Sequence, residues 1–315
     1  MTTFATLPPT LRPGHEPDEP HALAPILVLD SGLGGLTVAR AIRKKLPHEK
    51  IIYFGDTARV PYGGKSPEAI IAAVTQVAGR MAAHKPKHVV VACNSASAVA
   101  LPALRQALPN ATVSGVIEPG ARAAAEAAGA DPLPVIGVIA TEATIRSRAY
   151  LMAIGRRRPK AMVYARATPL LVPMVEEGRK EHDPLVRLCL EQYLNPMTEA
   201  AADATKGKKM AMDVLVLGCT HYPMLRRVIQ SVVTKRTKVI DSAAACAEDV
   251  ASRLEAGHLL RPADADVYDP RPAVRLFASD VAARFGKMAR RFLGEDVSDP
   301  VWVSPEELAS VPVEV

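Results

Sequence analysis

Val89-Val90-Val91-Ala92-Cys93-Asn94-Ser95 and Leu215-Val216-Leu217-Gly218-Cys219-Thr220-His221-Tyr222 decide the reading of this chain. In each, a short apolar run ends in a cysteine and passes at once into small polar residues. Continuous apolar runs of this length read as strands buried on both faces of a parallel sheet. The carboxyl ends of such strands are where open α/β sheets hold their ligands. A cysteine placed there in each half of the chain offers two thiols to one ligand, and the thiolate form is a nucleophile or a base.

The same rhythm extends outward from both stretches. Ile26 to Leu29, Ile51 to Phe54 and Val89 to Ala92 read as strands. Leu36 to Leu46, Pro67 to His84 and Ser97 to Leu108 read as the helices between and after them. Strands alternating with helices over short connections predict a mainly parallel sheet covered by helices. The pattern then restarts: Val135 to Thr141 parallels Ile26 to Ser31, and Val214 to Cys219 parallels Val89 to Cys93. The expected fold is therefore α/β with two pseudo-symmetric domains, each a mainly parallel sheet flanked by helices, and a site in the cleft between them. The expected boundaries are a flexible N-terminal arm over 1–24, rich in proline, and a discontinuous first domain over 25–116 and 230–299. The second domain is expected over 117–229. Residues 300–315, which carry the only tryptophan, Trp302, are expected to form a tail that is either docked or engaged between subunits.

At 315 residues the chain can bury a large core without disulfides or metals. Its four cysteines, Cys93, Cys189, Cys219 and Cys246, follow neither a zinc framework nor a disulfide scaffold. Cys189 and Cys246 fall inside helical patterns and are assigned to packing. Cys219 and His221 alone are too few to hold a zinc ion, so no metal is expected. No signal peptide or membrane-length apolar run is found, which sets the expectation of a cytoplasmic protein that does not enter membranes. The formal charge of +6 is assigned to solvated helix faces rather than to a nucleic-acid surface, because aromatic residues are only 4% of the chain.

Two thiols facing one carbon from opposite sides are what a racemase or epimerase needs. Around them, Asp30-Ser31-Gly32-Leu33-Gly34-Gly35 follows a strand and opens a helix. It lacks the dinucleotide-binding spacing and reads as a glycine turn whose N–H groups hold a carboxylate. Asp30 is a proton partner, a hydrogen-bond acceptor for a substrate amine, or the cap of that helix. The polar loop from Gly55 to Gly64 contains Tyr62 and Gly63, which are candidates for holding the far end of a substrate. His221 adjoins Cys219 and is placed to protonate or orient it. Glu176 ends the apolar run from Pro169 to Val175.

Taken together these blocks resemble the glutamate racemases of the cofactor-independent aspartate/glutamate racemase superfamily. The resemblance runs from about Pro25 to Ala245. It rests on Asp-Ser-Gly-Leu-Gly-Gly-Leu-Thr at 30–37, Gly-Asp-Thr-Ala-Arg-Val-Pro-Tyr-Gly at 55–63 and Ala-Cys-Asn-Ser-Ala at 92–96, followed by Gly-Val-Ile-Glu-Pro-Gly-Ala at 115–121 and Leu-Gly-Cys-Thr-His-Tyr-Pro at 217–223. Ser95 stands where the family usually has threonine, Ala140 where glycine is common, and Thr168 where cysteine is frequent.

The resemblance implies a two-base reaction that needs no cofactor. Cys93 would take the α-proton from D-glutamate and Cys219 from L-glutamate. Asp30 would assist Cys93, while His221 and Glu176 would assist Cys219. Asp30, Ser31, Tyr62, Gly63, Asn94, Ser95, Thr220 and His221 would hold the amine and the two carboxylates. The product would feed peptidoglycan synthesis. A racemase for aspartate, and a non-catalytic binding protein of the same fold, are the alternatives to be separated by experiment. A homodimer is compatible with the resemblance, but nothing in the sequence marks an interface.

Overall fold

The computed structural model describes residues 21–207, 211–267, 272–281 and 285–311. Two parallel sheets form its frame. The first runs through β1 (Ile26–Asp30), β2 (Ile51–Gly55), β3 (His88–Val91) and β4 (Thr112–Gly115). The second runs through β5 (Val135–Ala140), β6 (Met162–Ala167), β7 (Val214–Gly218) and β8 (Lys238–Asp241). Two further strands, β9 (Val274–Ala278) and β10 (Val301–Trp302), extend the first sheet. The strand orders are β10-β9-β2-β1-β3-β4 and β6-β5-β7-β8. All the strand pairs are parallel.

The expected repeat is therefore visible in topology. Within each sheet the four strands stand in the order second, first, third, fourth, so β3 and β7 are equivalent. Their residues are buried along the whole strand, as strands covered on both faces must be. The residue just past β7 is Cys219, and Cys93 follows β3 after Ala92.

Local chemistry explains where the helices start and stop. Ser66 caps the helix Pro67–Met81 by accepting from the Ala69 N–H at 3.3 Å, with proline at the first helical position. Asp241 caps Ser242–Ala256 through the Ala243 N–H at 2.8 Å. The helix expected over 97–108 is two helices, Asn94–Val99 and Leu101–Ala107. Pro102 has no N–H to continue the ladder and its ring crowds the carbonyl four residues back, so the chain breaks at Ala100.

Two expected boundaries move. Lys238 to Asp241 pairs in register with Val214 to Leu217 and so completes the second sheet. The chain returns to the first unit after Asp241, not at residue 230. Ordered contacts also begin before Pro25: Lys87 Nζ donates to the Ala22 carbonyl at 2.7 Å, and Arg261 donates to that of Leu23 at 3.2 Å. The rest of the expected arm, residues 1–20, lies outside the described residues. At the other end the tail is docked. Val301 and Trp302 pair with Phe277 and Ala278, and the indole N–H donates to the Ser279 carbonyl at 3.1 Å. The short helix Pro305–Ala309 is closed by a reciprocal capping box between Ser304 and Glu307. Residues 312–315 lie outside the described residues.

Candidate active site

The strand ends of the two sheets meet around one cavity of about 340 Å³. Cys93, Asn94 and Ser95 line it from the turn after β3, and Cys219, Thr220 and His221 from the equivalent turn after β7. Ser31 lines it from the turn after β1, and Tyr62 and Gly63 from the loop after β2. Glu176 reaches it from the helix Leu171–Glu176. The structure thus gathers ten of the eleven expected residues on one surface. Cys189 and Cys246 lie elsewhere, buried in the hydrophobic core.

Asp30 is the expected ligand contact that the structure does not bring to the cavity wall. It is buried behind the wall at the end of β1, and its Oδ2 accepts from the Gly32 N–H at 3.1 Å and from the Tyr53 hydroxyl at 3.3 Å. This is the turn-capping use of an aspartate. The Tyr62 hydroxyl is already engaged, donating to Asp56 Oδ2 at 2.5 Å. What Tyr62 offers a ligand is therefore not that hydroxyl. It begins a single helical turn, Tyr62–Gly64, and the first N–H groups of such a turn have no partner inside it. The same holds for Asn94 and Ser95, which follow Cys93 at the start of a helix.

Thr141, Glu142, Pro169, Val172 and Pro173 also line the cavity and were not among the expected residues. Thr141 could have been found from the repeat, because it follows β5 as Ser31 follows β1. Its hydroxyl lies 2.8 Å from Ser95 Oγ and 3.0 Å from Thr144 Oγ1, joining the two units at the cavity edge. Gly63 packs against it so closely that a Cβ there would stand 2.9 Å from Thr141 Cβ. A second bridge runs from the Thr37 hydroxyl to the Thr220 carbonyl at 3.0 Å.

The two thiols sit in different electrostatic surroundings. Burial pushes the Cys93 thiol up to about 12, and the Asp30 charge adds to the shift. Burial likewise raises the Asp30 carboxyl, offset in part by the Gly35 N–H and the charge of His221. On the other side, His221 Nδ1 is 3.8 Å from Cys219 Sγ and Nε2 is 3.1 Å from Glu176 Oε1. Burial alone would lower the pKa of the ring. The bonds to Cys219 and Glu176 outweigh it and raise His221 to about 10. One thiol thus faces a carboxyl, and the other faces an imidazole that carries its proton at neutral pH.

Known proteins share this fold and much of this sequence. A glutamate racemase of Geobacter metallireducens is 46% identical over 279 residues, which span 89% of this chain and 96% of that protein. The crystal structure of glutamate racemase from Francisella tularensis in complex with D-glutamate matches with a TM-score of 0.77 and 31% identity, covering 90% of this chain and 98% of that one. The structure of the Thermus thermophilus glutamate racemase in complex with β-chloro-D-alanine gives a TM-score of 0.73 at 39% identity, covering 91% and 99%. The profile of the Asp/Glu/Hydantoin racemase family matches residues 36–250, from the first helix after Asp30 to the helix that follows β8. Both cysteines and the whole of the second sheet fall within that reach, and the chain is a member of the Asp/Glu/Hydantoin racemase family.

Proposed function

We propose that this protein interconverts L- and D-glutamate by proton transfer at the α-carbon, with two cysteines as the bases and no cofactor. The observation that carries the reading is that Cys93 and Cys219, from equivalent strand ends of the two sheets, open on one cavity of about 340 Å³. A cavity of this size suits a small polar metabolite. Relatives 46% and 41% identical over most of the chain are glutamate racemases, and the Francisella structure holds D-glutamate.

In the direction from L-glutamate, Cys219 as thiolate takes the α-proton and becomes a thiol. Cys93 as thiol gives a proton to the opposite face and becomes a thiolate. The direction from D-glutamate reverses both steps, so each turnover exchanges the roles of the sulfurs. The protonated His221 lies beside Cys219, and the raised Cys93 holds a proton ready to give. Glu176 orients His221 through Nε2. Asp30 acts on Cys93 from behind the wall: its carboxyl, when protonated, removes a charge that opposes the Cys93 thiolate.

The α-proton beside an ammonium and a carboxylate is very weakly acidic. Without a cofactor, fixed donors must stabilise the carbanion. The backbone N–H groups at Ser31, Gly63, Asn94, Ser95, Thr220 and His221, together with the hydroxyls of Ser31, Ser95 and Thr220, are the donors proposed to hold the carboxylates. Among the described residues no helix is long and apolar enough to cross a membrane. A cytoplasmic protein supplying D-glutamate for peptidoglycan synthesis is the setting proposed.

The test is incubation of purified, pyridoxal-free protein with L-glutamate in D2O, following the α-hydrogen by NMR and the enantiomers by chiral analysis. Deuterium uptake with the appearance of D-glutamate is expected. No exchange with glutamate by folded protein, or turnover of L-aspartate in its place, would overturn the glutamate assignment.

A further inference from the structure

Tyr150 lies outside the reacting groups yet touches one of the residues that line the cavity. It belongs to the helix Ala149–Arg157 of the second unit, and its hydroxyl donates to Asn94 Oδ1 of the first unit at 2.8 Å. Both side chains are buried, at 3% exposure each. The other end of the amide, Asn94 Nδ2, is buried with no hydrogen-bond partner among the described residues. We propose, on the reading that the cavity binds glutamate, that Tyr150 is a positioning residue that fixes the Asn94 amide so that its –NH2 end is kept for a carboxylate of the ligand.

An asparagine side chain has two ends of opposite polarity, a carbonyl that accepts and an –NH2 that donates. Turned over, it would meet a carboxylate with its carbonyl oxygen and repel it. A donor bonded to Oδ1 removes that alternative. Tyr150 is itself confined, because a Cβ on Gly120 would lie 3.1 Å from its hydroxyl oxygen and one on Gly218 3.1 Å from its ring. Burial raises the pKa of the hydroxyl, so it remains a donor through neutral and mildly alkaline pH. The unpaired Nδ2 fits the same account. A buried donor without a partner is costly to the free protein, and a ligand oxygen that accepts from it turns that cost into affinity. The bond also crosses from one unit to the other, so the amide is oriented only while the two units stand together as they do here.

The experiment is a double-mutant cycle with Tyr150→Phe, Asn94→Ala and the combined variant, read by the Kd for D-glutamate and by KM and kcat, with thermal melting as the check of fold. Tyr150→Phe is expected to raise Kd and KM by about tenfold while changing kcat less, and to add nothing further in the Asn94→Ala background. A merely structural tyrosine would add its penalty in both backgrounds, and that result would overturn the proposal, as would an unchanged Kd in Tyr150→Phe. A wild-type measurement decides the matter if Tyr150→Phe does not fold. The Asn94 side-chain amide signals, identified by their loss in Asn94→Ala or by assignment of the wild type, should shift when D-glutamate is added. Signals that stay still under saturating D-glutamate would overturn it. Wild-type protein that neither binds nor turns over glutamate would overturn the functional reading instead, so the two failures are distinct.

Discussion

The ring of His221 lies with Nε2 3.1 Å from the carboxylate of Glu176. Glu176 is only partly buried, with 39% of its side chain exposed, while His221 is at 8%. The pairing therefore connects a buried ring to a carboxylate at the open edge of the cavity, and the ring's other nitrogen faces Cys219.

The pairing has a direct consequence for pH. His221 is raised from 6.5 to about 10 in the folded protein. A group raised in this way contributes stability that is fully present below its unfolded pKa and is lost as pH rises through the folded value. For His221 that window runs from about 6.5 to about 10. Glu176→Gln removes one of the two favourable partners, so the ring should release its proton at lower pH. An NMR titration of the His221 ring in the two proteins reads this directly. A midpoint that does not fall in Glu176→Gln would show that the carboxylate does not hold the ring's charge.

Gly34 is a position where the site depends on the absence of a side chain. A Cβ there would press on Thr220 Oγ1 and stand 2.5 Å from His221 Nδ1. Both of those residues line the cavity, and His221 is the partner of Cys219. Gly34→Ala should therefore lower kcat/KM by about a hundredfold through displacement of the site, with a folded protein by circular dichroism. Activity close to that of the wild type would mean that the turn relaxes away from His221 without disturbing it.

Lys87 and Glu49 form a buried ion pair at the opposite end of the first sheet from the cavity. Their charged atoms are 2.6 Å apart, and the side chains are 0% and 2% exposed. The ammonium also donates to the Ala22 and Leu259 carbonyls at 2.7 Å each, and Glu49 accepts from the Arg261 N–H at 2.9 Å. Removing one partner of such a pair leaves a buried charge uncompensated. Lys87→Met should cost about 3–5 kcal/mol of stability in denaturant unfolding, with kcat unchanged while the protein is folded. A loss below about 1 kcal/mol, the range of exposed ion pairs, would contradict this account of the cluster.

The parts of the fold that were legible in the sequence are those that burial on both faces imposes. β1, β3, β5 and β7 are central strands, and their apolar runs end within a residue of where they were read. β8 is hard to assign from sequence because Lys238-Val239-Ile240-Asp241 is short and half polar, as suits an edge strand, and only its pairing with β7 shows which sheet it joins. The docking of Trp302 could not be read either, since two residues carry no period. In the site, the cysteines and their following polar residues were legible because they adjoin the strands in sequence. For Asp30 the sequence points one layer too far forward, because the direction of its carboxylate depends on Tyr53, which comes from the neighbouring strand. Tyr150 left no signal, because its role lies in a contact between residues 56 apart in sequence.

The central claim is that both sulfurs carry protons, one on each face of the α-carbon. The measurement that tests it most directly is racemisation by Cys93→Ala and by Cys219→Ala, followed by chiral analysis in both directions, with melting curves to establish that each protein is folded. Each variant should lose turnover by roughly a thousandfold or more in both directions, because either direction needs one sulfur to take a proton and the other to give one. A folded variant of either kind that racemises glutamate at the wild-type rate would contradict the two-base account.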